Sequence, residues 1–237
     1  MAEDGRGTLT CVGVGPGDPG LMTRRACEVL EGSDVVAAPV SDDGASLALQ
    51  IARGACDLSG ARVLGLSFPM SRSRDVVARS HRVAADAIEA ELDAGADVAL
   101  ACLGDVAIYS TSAYVRALVA ADGYEVRTVA GVPSFCAAAA ALNETLAADR
   151  DEPIVIVPAA SPALGDALSM PGDAVIMKTG RRYDDVRRAL DARGLADRTC
   201  VVENCGLPGE RVTRGLGALA QAPSYFTVLI VGKGERP

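Results

Sequence analysis

One repeated alternation constrains this chain more than any other feature of its sequence. Five short strand-like segments, at 9–14, 34–38, 62–66, 97–103 and 124–129, alternate with stretches whose apolar residues recur at helical spacing. The run Val98-Ala99-Leu100-Ala101-Cys102 carries no polar side chain, the pattern of a strand covered on both faces. Parallel strands need crossover connections, and a crossover helix must bury its apolar stripe on the sheet. The alternation therefore demands α/β layers around a largely parallel sheet. Ligands of such sheets sit outside the C-terminal strand ends, so the loops that follow the strands are where chemistry is expected.

The intervening helices announce themselves by caps and stripes. Thr23 can cap a helix carrying Ala26, Val29 and Leu30, a second runs over 45–55, and a third over 76–94. Val76, Val83, Ala87, Ile88 and Leu92 form the expected apolar stripe of that third helix, which Gly95 ends. A fourth reaches about residue 121, and Pro39 is expected to stop the second strand. Gly131-Val132-Pro133-Ser134 reads as a hinge, with Ser134 capping a helix over 135–142. Strands then recur at 153–157, 173–177 and 199–203, a helix spans 183–193, and strands at 210–214 and 225–231 have less helix between them. The second half is thus expected to be mixed rather than wholly parallel, with domains at 1–130 and 131–237.

Composition narrows the function classes. The 237 residues are 49% hydrophobic, enough for a substantial core, and no apolar run reaches membrane-spanning length. Met1-Ala2-Glu3-Asp4-Gly5-Arg6 lacks the charged-then-apolar order of a secretory signal, so a cytoplasmic protein is expected. A formal net charge of −8 argues against a broad nucleic-acid surface. The seven cysteines form no CxxC pair and lie mostly in apolar patterns, which favours buried thiols over a metal site or a disulfide scaffold. His81 is the one histidine; on its helix it is expected to face solvent.

Several strand-end loops could carry chemistry. Leu103-Gly104-Asp105 pairs a glycine, which lets backbone approach a ligand, with an acceptor at the same rim. The loop Gly13-Val14-Gly15-Pro16-Gly17-Asp18-Pro19-Gly20 superficially matches a dinucleotide fingerprint, but its third glycine falls on Asp18. An acid there would repel a pyrophosphate, and no Walker-type lysine follows. A nicotinamide oxidoreductase would also need an acid ending the second strand, where Pro39 stands. Further segments at strand ends are 131–134, 177–181, 203–210 and 225–227.

In their order these loops resemble those of the tetrapyrrole methylases that use S-adenosylmethionine. The residues carrying the resemblance are Gly13-Val-Gly-Pro-Gly-Asp-Pro19, Gly104-Asp105 with Ile108-Tyr-Ser-Thr111, Gly131-Val-Pro-Ser-Phe135, Val175-Ile-Met-Lys178 and Val202-Glu-Asn-Cys-Gly206. Within that superfamily the likeness is to C20-methyltransferases of cobalamin biosynthesis. It is carried by Phe68-Pro-Met-Ser-Arg72, Ile108-Tyr-Ser-Thr111 and the run from Met177-Lys-Thr-Gly-Arg181 to Cys205-Gly-Leu-Pro-Gly-Glu210. Two positions depart from the family pattern that the chain resembles: Val106 stands where proline usually follows Gly-Asp, and Pro39 at the place matching an acid of the uroporphyrinogen methyltransferases.

The resemblance implies a two-domain α/β fold, each domain a roughly five-stranded sheet flanked by helices, with the cofactor in the cleft between them and usually a homodimer. It implies cofactor contacts at Pro16, Leu103, Gly104, Asp105, Ile108, Pro133, Ser134, Met177, Gly206 and Thr227. The cofactor would be S-adenosylmethionine, leaving S-adenosylhomocysteine, and the substrate precorrin-2 or cobalt-factor II, methylated at C20. Methylation at another position of a precorrin or uroporphyrinogen macrocycle is the alternative. That substrate bears many carboxylates while the chain is acidic, so Arg72, Arg74, Lys178 and Arg181 are candidate local cations. No general base and no protein metal site can be named.

Overall fold

The computed structural model describes residues 5–69, 71, 73–147, 151–218 and 224–232. The chain forms two compact units that meet in sequence between Pro133 and Ser134, three residues beyond the boundary read from sequence.

The first unit is a parallel five-stranded sheet. Its strands are β1 (Leu9–Gly13), β2 (Val35–Val40), β3 (Arg62–Ser67), β4 (Val98–Cys102) and β5 (Val126–Val129), in the spatial order β3-β2-β4-β1-β5. Four helices connect them: α1 (Arg24–Glu31), α2 (Leu47–Ala55), α3 (Arg74–Asp93) and α4 (Ser112–Ala121). Side chains alternate across the sheet, so each strand feeds two cores. Leu9, Cys11, Val98, Leu100 and Cys102 face Ile88 and Leu92 of α3 and Val115 and Val119 of α4. Val12, Val36, Ala99 and Ala101 face Ala26 and Leu30 of α1 and Leu49 and Ile51 of α2. The connection after β1 thus leaves toward one face and that after β4 toward the other, although β1 and β4 are neighbours. This is a topological switch point, where open α/β sheets leave a crevice for ligands.

Three local expectations give way to packing. Pro39 does not stop β2 but lies within it, opposite Leu66 of β3. The β2–β4 ladder ends at Ala37, and the amide of Val35 points to the β4 side. Residue 39 faces that same side, so proline lacks its N–H where no partner strand remains. His81 does not face solvent: it is buried, with its ring stacked on Tyr114 at 4.8 Å and tilted against Phe68 at 5.9 Å. The buried face of α3 is accordingly His81, Ala84, Ala85, Ile88 and Leu92, while Val76 and Val83 are exposed.

The second unit begins with α5 (Ser134–Leu142) and continues through β6 (Ile154–Pro158), α6 (Leu164–Ser169), β7 (Asp173–Met177) and α7 (Tyr183–Asp191). It ends with β8 (Thr199–Glu203), β9 (Arg211–Arg214) and β10 (Thr227–Val231). The sheet order is β6-β7-β10-β8-β9; β6 and β7 are parallel, and the other pairings are antiparallel. The mixed character expected from sparse helix near the end is thus present. One face packs Leu168, Val186 and Leu190 onto Ile176, Val201 and Leu229, and α5 lies against β8 and β10. The six-residue α6, with Gly165 inside it and Pro162 just before it, gave too little periodicity to be read from sequence.

Candidate functional site

Three loops meet at the C-terminal ends of β1, β4 and β5 in the first unit, and glycines make the meeting possible. Gly15 and Gly104, at φ 77° and 72°, exchange both backbone hydrogen bonds, at 3.1 and 2.7 Å, in an isolated antiparallel bridge. Left-handed backbone of this kind favours glycine. Gly13 and Gly131 are required for a different reason, which is space. A Cβ on Gly13 would lie 2.6 Å from the Gly131 nitrogen and 2.8 Å from the Gly104 oxygen. One on Gly131 would lie 2.2 Å from that same oxygen. Backbone therefore packs directly on backbone across three strand ends.

Asp105 fastens this cluster. One carboxylate oxygen accepts the Ala107 N–H at 2.8 Å, closing the turn after β4, and the other accepts the Gly131 N–H at 2.8 Å. Thr23 Oγ1, which also caps α1 by accepting the Ala26 N–H at 3.1 Å, donates to the neighbouring Ala130 oxygen at 3.5 Å. Asp18, which spoiled the dinucleotide fingerprint, is exposed and accepts the Gly20 N–H at 2.8 Å, capping a 3-10 turn over Pro19–Leu21. Val106 buries its side chain among Cys102, Val115 and the rest of the α3/α4 core, which anchors the turn without a proline.

Pro16, Leu103, Gly104, Asp105, Ile108 and Pro133 all fall in these three loops. Pro16 is buried, Ile108 and Pro133 are half-buried, and Leu103 is exposed. Beneath the β4 loop, Ser110 and Ser112 share a hydroxyl hydrogen bond of 2.7 Å and reach the Cys102 thiol, whose pKa burial raises.

The second unit gathers its candidates at one end of its three middle strands. Met177 ends β7 and pairs with Val228, while Thr227 starts β10 opposite Glu203, the last residue of β8. Antiparallel β10 thus brings its N-terminal end beside the C-terminal ends of β7 and β8. Gly206, at φ 73°, follows β8, and its N–H donates to the Glu210 carboxylate at 2.7 Å. Thr227 donates its hydroxyl to the Ser224 oxygen at 2.6 Å. Glu203 is buried, ion-paired to Arg211 and accepting the Ser224 N–H at 2.9 Å. Ser134 is the first residue of α5, half-buried.

Non-glycine residues with left-handed backbone concentrate in these loops. Tyr109 (φ 50°) follows β4, Lys178 (φ 58°) follows β7 and Asn204 (φ 50°) follows β8; the other two among the described residues, Asn143 and Ala147, lie after α5. Such conformations cost of order 1–3 kcal/mol each and cluster at functional sites. Lys178 is exposed as a residue, yet crowding of its ammonium draws its pKa below the usual lysine value.

The four candidate cations are not brought together within one unit. Arg74 is exposed at the start of α3 in the first unit. Lys178 and Arg181 belong to the second, Arg181 in the 3-10 turn Gly180–Arg182, with its side chain outside the described residues. Arg72 also lies outside the described residues.

The two loop sets offer backbone amides, carbonyls and apolar side chains. Their buried carboxylates, Asp105 and Glu203, already hold protein donors. Such equipment suits holding and orienting a ligand better than shuttling protons. Sequence reasoning missed Gly13 and Gly131 as close-approach positions and the Asp105–Gly131 bond. A glycine ending β1 and another two residues past β5 were the available signal.

Comparison with known proteins matches residues 8–220 to the family of Tetrapyrrole (Corrin/Porphyrin) Methylases. The cobalamin biosynthesis protein CobIJ of Mycobacterium bovis is 32% identical over 98% of this chain and 47% of its own length. The chain therefore spans about half the length of the first curated relatives it matches. The cobalt-precorrin-2 C(20)-methyltransferase of Salmonella typhimurium is 32% identical over 96% of this chain and 97% of that protein. Among solved structures, the uroporphyrin-III C-methyltransferase of Thermus thermophilus complexed with S-adenosylhomocysteine superposes with a TM-score of 0.69. It is 21% identical over 95% of this chain and 92% of that one, a likeness of fold. With a family match across most of its length and a curated relative aligned nearly end to end, this chain belongs to the tetrapyrrole methylases.

Proposed function

We propose that this protein transfers a methyl group from S-adenosylmethionine to C20 of precorrin-2 or cobalt-factor II in corrin biosynthesis. The observation that carries the reading is the near full-length, 32% identity to a protein named as a cobalt-precorrin-2 C(20)-methyltransferase. The cofactor would be held by Pro16, Leu103, Gly104, Ile108 and Pro133 of the first unit, with Asp105 fastening their loops from behind, and by Ser134, Met177, Gly206 and Thr227 of the second. Gly104, whose missing Cβ faces open space, leaves backbone that a ligand's polar edge can approach closely. Arg72, Arg74, Lys178 and Arg181 would meet substrate carboxylates. The protein would act as a cytoplasmic homodimer.

A bound S-adenosylmethionine supplies a methyl group on a cationic sulfur, already strongly electrophilic. The task of the protein is then to hold an electron-rich meso carbon in line with it. Positioning contributes about 7–11 kcal/mol in favourable intramolecular cases. Asp105 and Glu203 have their oxygens engaged by protein donors, so neither is assigned as the base that removes the meso proton.

Incubation with S-adenosylmethionine and either precorrin-2 or cobalt-factor II tests the proposal. Mass spectrometry should show one added methyl, and NMR should place it at C20. No added methyl on either substrate would refute it; a methyl elsewhere on the ring would move the chain to a sister reaction.

A further inference from the structure

We propose that Asp105 is a positioning residue that acts on the cofactor through the Gly131 loop rather than by touching the cofactor. The inference rests on the reading that these loops bind S-adenosylmethionine. Asp105 is only 9% exposed, and each of its carboxylate oxygens accepts a backbone N–H at 2.8 Å. One bond is local, to Ala107 two residues on; the other spans 26 residues, to the loop after a different strand. A carboxylate bonded to two amides is a stronger tether than a neutral acceptor.

What the tether holds is a contact that would otherwise open. The Gly131 Cα and the Gly104 oxygen pack so closely that a methyl group on Gly131 would lie 2.2 Å from that oxygen. The Gly104 oxygen also accepts the Gly15 N–H at 3.1 Å, so the loops after β1, β4 and β5 share one carbonyl as their hub. Among the described residues β5 is the edge strand of its sheet, bonded to β1 alone, and its following loop gains no support from a further strand. Asp105 replaces that missing support. Its charge is spent on geometry, which sets where Gly131-Val132-Pro133 presents its backbone.

Two variants and two ligands test this on the whole 237-residue chain. Asp105→Asn can offer one oxygen, leaving its amide nitrogen facing the other N–H. Gly131→Ala pushes the loops apart with Asp105 untouched. Calorimetry should show both variants losing S-adenosylhomocysteine affinity, by about ten- to hundredfold for a charge-assisted bond. S-adenosylmethionine affinity should fall by the same factor, because no contact to the sulfonium charge is lost. Hydrogen exchange without ligand should show the Gly131 amide losing protection in Asp105→Asn while the β4 core amides keep theirs.

Wild-type affinity in Gly131→Ala together with lost affinity in Asp105→Asn would overturn the proposal. So would a loss in Asp105→Asn confined to S-adenosylmethionine, or unchanged exchange at Gly131. If Gly131→Ala does not fold, the exchange result and the ligand ratio in Asp105→Asn decide alone. If the wild-type chain binds neither ligand, the cofactor reading fails, while exchange still reports whether Asp105 holds Gly131.

Discussion

Gly13 shows how much a single hydrogen atom in place of a side chain can decide. It sits at the end of β1, where the Gly131 nitrogen and the Gly104 oxygen come closer to its Cβ direction than any real side chain allows. Gly13→Ala should therefore force backbone shifts and destabilise the chain by roughly 1–3 kcal/mol, as overpacking does. Urea denaturation would read this as a lower midpoint at unchanged slope. Thr23 has two jobs, capping α1 and reaching the Ala130 oxygen. Thr23→Ala should cost about 1 kcal/mol from the cap, measured as a lower melting temperature. At this scale the sequence was legible in part. Gly15 and Gly104 could be read as turn glycines, but nothing local marks Gly131 as the residue they must accommodate. That contact joins three loops distant in sequence.

Helix α3 is where an element's pattern misled most. Its valines at 76 and 83 fit an apolar stripe on spacing alone, yet both are exposed, and the histidine is what is buried. The half-buried Phe68 and the Tyr114 ring of α4 supply the reason, since an imidazole between aromatic rings is the better-packed choice. Arg82 then ties the two helices on their outer side, bonding Asp86 and Glu89 of α3 and Asp122 just beyond α4. Burial lowers the His81 pKa below its ordinary value of 6.5. In the unfolded chain the imidazole takes a proton near pH 6.5, and the folded chain resists doing so until lower pH. The stability held above pH 6.5 should therefore be lost as pH falls from there through the folded pKa. His81 is the chain's one histidine, so His81→Phe should flatten the melting temperature between about pH 7 and 5.5 relative to wild type. A parallel slope in both proteins would exclude His81 as its source.

Across the whole molecule, each unit carries its own core, and no buried cluster among the described residues draws from both. Ile88 lies in the first and Ile176 in the second, both fully buried. Alanine at either should cost about 2–5 kcal/mol. Ile176→Ala should lower amide protection in the second unit's strands while leaving most of the first unit's protection in place. Native-state hydrogen exchange would check this, and uniform loss across both units would mean that the chain unfolds as one cooperative body.

The sequence by itself determined the layer plan. Runs without polar residues, periods of two and 3.6, and glycines at strand ends act over a few residues, so β1 to β5, the longer helices and the places of the loops follow from local physics. It also carried the family resemblance, because those loops recur in fixed order. What only the tertiary structure decided are the contacts between stretches far apart in the chain. These are the Gly15–Gly104 bridge, the reach of Asp105 to Gly131, the burial of His81, the tolerance of Pro39 within β2, and the reversed β10 that gathers Met177, Glu203 and Thr227 at one end of the middle strands. Each depends on which strands become neighbours, and strand order is set by how two cores fill at once rather than by any single stretch.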